Sequence, residues 1–434
     1  MAKVLRTVAG ASALLLVLPS AGRAGDEWQA CVAAPTRTCT LALLASETAT
    51  VSETRDGINA LSRLAVAEAS AEMAVAADRD FAAAEAIIVA ESGVGADVRR
   101  AQYADLVAAA LVEAGRTDAA LALTAKIEMQ YPATALGNIA ARQVKEGRNA
   151  DAAATASLAA ERSRAVTLPI MKFDAFRAAA QAERAAGRTE DANAAEADAA
   201  AAVQFGADGP MRDRERGLIA KDQLARGDVA AALKTLAGCE TPQWRDWTTL
   251  SLARAETSAG RLDAAAQLVE TLSATTRFTG LAGLATAQKR YGANARSTAA
   301  AAEIRQIAAA AQGEERIRRL VDLGALDAVS GDEAAAAADF AQARAQSESL
   351  PNERRAAFAK QLAYGLLAAG RSSEAMALLD AFDAPVAHDA FLRAVAQRQI
   401  EAGAYADALQ TIHSLSQRDA RLFGLEKLAT ALPR

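Results

Sequence analysis

Histidine is the side chain most often used for acid-base chemistry and metal binding near neutral pH. The chain of 434 residues has two, His388 and His413. The sequence places no cysteine, serine or second histidine around either one at the spacing of a metal site or a catalytic triad. We therefore predict no catalytic residue and no metal site.

The segment GVGADVRR, residues 93–100, has glycines of the kind that can approach a phosphate. A dinucleotide-binding loop follows a β-strand, and no strand pattern precedes Gly93. The segment is therefore interpreted as a loop that joins two helical elements. We expect no bound cofactor, and the motifs give no signature of an enzyme.

The three cysteines are Cys31, Cys39 and Cys239. Cys31 and Cys39 stand four residues on either side of Pro35, so they would face each other if Pro35 marks the turn of a helical hairpin. In an oxidising compartment this arrangement predicts a disulfide. Three free thiols remain the alternative.

The first 24 residues, MAKVLRTVAGASALLLVLPSAGRA, have the charged start, short apolar run and small-residue end of an export signal. Cleavage after Ala24 would leave a mature periplasmic protein with no transmembrane segment. An uncleaved membrane tether is the other interpretation. The formal net charge of -5 argues against general binding of nucleic acid, because the phosphates of nucleic acid favour a basic protein.

One heptad recurs along the chain: AGRTDAA at 114–120, AGRTEDA at 186–192, AGRLDAA at 259–265 and AGRSSEA at 369–375. Alignment on its glycine gives anchors 32 to 40 residues apart, with degenerate copies at Asp78 and Gly292. The other anchors are Gly115, Gly147, Gly187, Gly227, Gly260, Gly331, Gly370 and Gly403. The residues five after and seven before each anchor are small throughout, which predicts close helix crossings at both positions.

Each repeat is interpreted as one helix that ends at a left-handed glycine and a second helix that runs back. The interior prolines fall between repeats, where a proline is tolerated in the first helical turn. The prediction is an all-α solenoid of about ten hairpins over residues 58–416. An N-terminal hairpin at 25–57 and a capping helix at 417–434 complete it.

This pattern resembles the tetratricopeptide repeat family, which has small residues at the corresponding positions of its two helices. The resemblance implies that the first helices line a binding groove. The family's aromatic positions in the first helix are mostly replaced here by glutamine or glutamate, and the spacing is irregular, so the chain is described as tetratricopeptide-like. The replacements are Gln143, Glu183, Gln223, Glu256, Gln288 and Gln399. We expect them to reach the turn backbone or solvent.

The groove positions implied by the resemblance change from acidic to basic along the chain. The early ones are Glu68, Glu72 and Asp105. The later ones are Arg177, Arg184, Lys221, Arg254, Lys289, Lys360 and Arg393. These cations would suit an acidic protein or peptide, although charged side chains also simply solvate exposed helices.

Trp244 and Trp247 open the first helix of the Gly260 repeat, and Trp247 is a candidate anchor for a partner. Packing of these side chains against the preceding hairpin is the alternative. The functional prediction is a non-enzymatic binding scaffold of the cell envelope. An envelope enzyme that acts on polysaccharide in a helical groove is the second hypothesis, and self-association through the end hairpins is a third.

Overall fold

The computed structural model describes residues 24–126, 132–166, 169–206 and 209–433. These residues form α-helices joined by short turns, and they contain no β-strand. The all-α prediction is therefore confirmed. The predicted signal segment, residues 1–24, lies outside the described residues except for Ala24.

Two helices precede the repeats, ten hairpins follow and one helix ends the described chain. The flanking helices are α1 (Ala24–Ala33), α2 (Arg37–Ala49) and, at the end, α23 (Arg418–Ala431). The first five hairpins are α3 (Thr54–Ser70) with α4 (Ala74–Ala90), α5 (Ala96–Glu113) with α6 (Thr117–Lys126), α7 (Pro132–Lys145) with α8 (Asn149–Ala165), α9 (Pro169–Ala185) with α10 (Thr189–Gly206), and α11 (Gly209–Ala225) with α12 (Val229–Ala237). The other five are α13 (Pro242–Ser258) with α14 (Leu262–Glu270), α15 (Ala274–Arg290) with α16 (Asn294–Ala310), α17 (Gly313–Ser330) with α18 (Glu333–Glu348), α19 (Asn352–Ala368) with α20 (Ser372–Met376) and a short 3-10 helix (Leu379–Ala381), and α21 (Pro385–Glu401) with α22 (Tyr405–His413).

The described chain divides into two compact units. The first unit combines residues of Met1–Ala202 with Leu392–Arg434, and the second unit is Val203–Phe391. Within the first unit, α3, α5, α7 and α9 pack in succession; within the second, α11, α13, α15, α17 and α19 do the same. Each unit therefore has the consecutive helix packing of an α-solenoid.

Glycine ends the first helix of nearly every hairpin. The eight predicted anchor glycines and Gly292 have φ between 73° and 84°, the left-handed region that favours glycine. The N–H after the glycine then donates to a carbonyl five residues earlier, as from Arg148 to Gln143 at 2.9 Å. The recurrent heptad is therefore a turn motif, as predicted.

The two small columns lie where paired helices cross. Ala140 and Ala152, which represent the two columns in the α7–α8 hairpin, are both fully buried. A Cβ placed on Gly324, in the first column of α17, would lie 2.9 Å from the ring of Phe340 on α18. Large side chains do not fit at these positions, so the small residues set the distance between helices.

The structure corrects the predicted anchor at Asp78, which lies inside α4. The turn is at Glu72, the one described non-glycine residue with positive φ, at 63°. The N–H of Met73 donates to Glu68 at 2.9 Å, as in the glycine turns. The sequence alignment missed this turn because its left-handed position is occupied by a glutamate.

We expect Glu72→Gly to stabilise the protein by about 1 kcal/mol, because a side chain in the left-handed conformation costs roughly 1–2 kcal/mol that glycine does not. The midpoint of urea unfolding, followed by circular dichroism, measures the change. Gly147→Ala is the matched control, since that turn has φ of 77° and open space around it, and it should lose a similar amount. An unchanged midpoint for both variants would contradict the role given to the turns.

The prediction that the recurrent glutamines and glutamates reach the turn backbone or solvent is wrong. Gln143 and Glu256 are buried inside their hairpins, because this position faces the second helix twelve residues later. In two hairpins a threonine there donates to the amide: Thr235 to Gln223 at 2.9 Å and Thr411 to Gln399 at 2.8 Å. In these two hairpins the polar position joins the two helices, whereas Glu256 accepts hydrogen bonds from Arg261 in the turn, the shorter at 2.6 Å.

In two hairpins, both the polar position of the first helix and the position twelve residues later on the second helix carry a carboxyl group. In the first unit Glu68 pairs with Asp80, and Arg79 lies 3.8 Å from Glu68 and 2.8 Å from Asp80. Burial, and then the charge of Asp80, raise the pKa of Glu68 to about 8. In the second unit, burial and the charge of Asp327 raise the pKa of Asp339 to about 6. Each pair therefore contains a carboxyl group whose pKa is raised by burial and by the charge of its partner.

Candidate functional site

One tryptophan of the second unit, Trp247, is exposed on the first helix α13. Trp247 is 63% exposed and packs edge-to-face on Trp244, with 5.5 Å between ring centroids. Arg254 follows Trp247 by seven residues, two turns of α13, so both lie on one side of the helix. At this exposure Trp247 is not buried against the preceding hairpin.

Arg254 belongs to a cluster that three first helices build. It lies close enough to Asp322 on α17 to influence the pKa of that carboxyl group, and Asp322 also hydrogen-bonds with Thr279 on α15. Burial, reinforced by the charge of Glu315 and opposed by Arg254, raises the pKa of Asp322 to about 6. The carboxyl group of Asp322 therefore loses its proton near pH 6, above the usual range of an aspartate.

Two lysines extend the same surface. Lys221 on α11 and Lys289 on α15 are exposed, and neither makes an ion pair among the described residues. Lys221 stands six residues before Gly227, and Lys289 stands three residues before Gly292. These positions put both lysines on the same side of their helices as Arg254 and Trp247 on α13. We call Lys221, Trp247, Arg254 and Lys289 the first-helix face of the second unit. It is the candidate functional site.

The other predicted groove cations are differently placed. Arg184, in the first unit, lies 2.7 Å from Glu196 of its own hairpin, and Arg177 is partly buried. Lys360 lies 3.0 Å from Asp383 and 5.9 Å from the ring centroid of Phe382. Arg393 is exposed on α21, in the first unit.

Glu68 was predicted at the acidic end of the groove, but its side chain is not on the surface. This side chain is buried within the α3–α4 hairpin against Asp80, because the turn of that hairpin is at Glu72 and not at Asp78. Asp105 is partly buried on α5. A gradient from acidic to basic along one groove therefore cannot include Glu68.

Each of the two histidines contacts another side chain in the described part of the chain. The Nδ1 atom of His388 lies 3.6 Å from the buried carboxylate of Asp389. His413 packs on Trp28 with 4.5 Å between ring centroids. Across the ranges described, no group of three or more histidine, cysteine, aspartate and glutamate side chains could hold a metal ion.

A small pocket of about 140 Å3 lies between α8, α9 and α10 in the first unit. Arg188 lies 3.1 Å from the buried Glu183 and 2.7 Å from Asp191 at its edge. Because Arg188 is already paired with these two carboxylates, the pocket offers a weaker case for ligand binding than the first-helix face. None of the described helices has the length and apolar character needed to cross a membrane.

Among known proteins, the similarities of this chain are to solved structures. No family model matches it, and no curated protein matches it. One solved structure with similarity is Ton1535 from Thermococcus onnurineus NA1, with 13% identity, a TM-score of 0.28, and coverage of 80% of this chain and 94% of that one. Another is a circular tandem repeat protein with novel repeat topology, with 15% identity, a TM-score of 0.18, and coverage of 99% and 92%. TM-scores this low do not establish a common fold.

The sequence predicted Trp247, Arg254, Lys221 and Lys289 as candidate residues but did not predict Asp322 or Thr279 beside Arg254. The groove positions that the tetratricopeptide resemblance implies lie ten, six and three residues before each glycine. Neither Asp322 nor Thr279 stands at one of these positions. Only the packing of α13, α15 and α17 brings them to Arg254.

Proposed function

We propose that this is an exported, tetratricopeptide-like scaffold that binds a protein or peptide through the first-helix face of its second unit. The observation that carries the proposal is the exposure of Trp247, at 63%, on the same side of α13 as Arg254. Tryptophan and arginine are both enriched among the residues that dominate binding energy at protein interfaces.

The charge of this face favours an acidic or carboxylate-bearing partner. Lys221, Arg254 and Lys289 lie on three first helices, α11, α13 and α15, with the carboxyl group of Asp322 near Arg254. An extended acidic segment would meet successive cations and could place an apolar side chain on Trp247.

Export is supported by the Cys31–Cys39 disulfide, because such bonds persist in oxidising compartments. The intact mass of the protein isolated from the cell envelope tests this part of the proposal. We expect the mass of a chain that begins near Gly25, lower by the mass of the two hydrogen atoms that are lost when the disulfide forms. Retention of the first 24 residues would favour the membrane tether instead.

The binding face is tested by reversing two of its charges. We expect Lys221→Glu with Arg254→Glu to reduce recovery of a cross-linked partner at least tenfold in tagged purifications from envelopes. The matched control reverses Lys234 and Arg344, which are exposed on the second helices α12 and α18 of the same unit. Equal losses in both double variants, or no loss in the first, would argue against this face; circular dichroism checks that both fold.

A further inference from the structure

The C-terminal helix α23 packs on helices from the other end of the chain. Its neighbours are α2 and α3 as well as α22, which precedes it in sequence. All four helices belong to the first unit. The predicted N-terminal and C-terminal caps therefore contact each other.

The sequence of α23 is that of a first helix. In the regular hairpins a large apolar residue precedes the small residue of the first column, as in Val395–Ala396 of α21. Leu428–Ala429 repeats this pair 33 residues later, and both side chains are fully buried. No described helix follows α23, and α2 lies along it in the place of a second helix.

Polar contacts fix this arrangement from both sides. Arg421 on α23 lies 3.2 Å from Glu47 on α2, and both are mostly buried. Arg63 on α3 lies 2.6 Å from the buried Glu426. Arg37 on α2 donates both to the carbonyl of Ser70 and to that of Leu432, at the ends of α3 and α23.

The disulfide joins this contact to a second one. Cys31 on α1 and Cys39 on α2 are bonded, with 5.8 Å between their Cα atoms. Helix α1 packs on α22, where the buried Trp28 lies against His413. Each arm of the disulfide-linked hairpin therefore holds a different C-terminal helix.

We infer that α23 and α2 form one composite repeat, whose two helices come from opposite ends of the chain, and that the disulfide-linked α1–α2 hairpin is its latch. Helices α2 and α23 then bury each other's packing faces, so neither helix offers that face to another molecule. When the latch opens, α23 and α2 expose faces that fit those of a second copy, so exchange of the C-terminal helix gives a dimer.

The latch is tested by hydrogen-deuterium exchange of the full mature chain with and without a reductant. We expect reduction to accelerate exchange at least tenfold in α22 and α23, nearly 400 residues from the cysteines. Exchange in α13, in the second unit, should not change. Acceleration confined to α1 and α2 would overturn the latch, and Cys31→Ser with Cys39→Ser checks that the reductant acts through this bond.

The composite repeat is tested by a charge swap at Arg421 and Glu47. Arg421→Glu alone and Glu47→Arg alone should each accelerate exchange in both α2 and α23, and the double swap should restore most of the protection. Size-exclusion chromatography with light scattering should detect a dimer in the single variants. Rates in α2 that do not respond to Arg421→Glu, in a variant with unchanged circular dichroism, would refute the pairing of these helices.

Discussion

Ala152→Leu destabilises the protein by about 3 kcal/mol or more, if the small columns set the distance between paired helices. Ala152 is fully buried in the second column, on α8, and faces α7. A leucine there must push the two helices apart, and the neighbouring hairpins limit how far they can move. The shift in the midpoint of urea or thermal unfolding measures the loss.

Ala154→Leu is the matched control, because Ala154 is exposed on the same helix and two residues away. It makes the same chemical change with little effect on helix propensity, so we expect a change within about 0.5 kcal/mol. Similar losses in the two variants would mean that the buried column does not control the packing of the hairpin.

Glu68→Gln makes the protein more stable at pH 8 and removes much of its loss of stability with rising pH. The pKa of Glu68 is about 8 in the folded chain, against an ordinary value of 4.5 in the unfolded one, mainly because of burial. Between these two values the folded state binds more protons, so stability falls as pH rises from 4.5 through 8. A neutral glutamine avoids this loss, and we expect a gain of roughly 3 kcal/mol at pH 8.

Urea unfolding at pH 5 and at pH 8 tests this prediction. The wild-type chain should lose more stability between pH 5 and pH 8 than the Glu68→Gln variant does. Glu190→Gln, an exposed position in the same unit, should follow the wild-type profile. A variant at Glu68 whose pH profile matches that of Glu190→Gln would show that Glu68 is charged in the folded protein at neutral pH.

The hairpins could be predicted from the sequence because their determinants are local. A left-handed glycine, such as Gly147, and the small residues Ala140 and Ala152 stand at fixed distances along the chain. The Cys31–Cys39 disulfide was predicted for the same reason, since Pro35 separates the helices that carry it. Glu72 escaped detection because the turn uses a residue that rarely adopts positive φ.

The contacts that the sequence did not predict depend on which helices become neighbours in space. Asp322 meets Arg254 only because α13, α15 and α17 pack in succession. A repeat pattern relates each hairpin to the next one, so it does not pair Glu47 with Arg421, 374 residues later. The buried position of Gln143 was missed because its side chain faces the second helix and not the turn.

We propose above all that the first-helix face of the second unit binds a partner. Site-specific photo-cross-linking in living cells tests it most directly, with a benzoyl-phenylalanine at position 247 and, as a control, at position 344 on α18. We predict a discrete protein adduct at position 247 that Arg254→Glu removes, and no such adduct at position 344. The same adducts at both positions, or none at position 247, would contradict the claim.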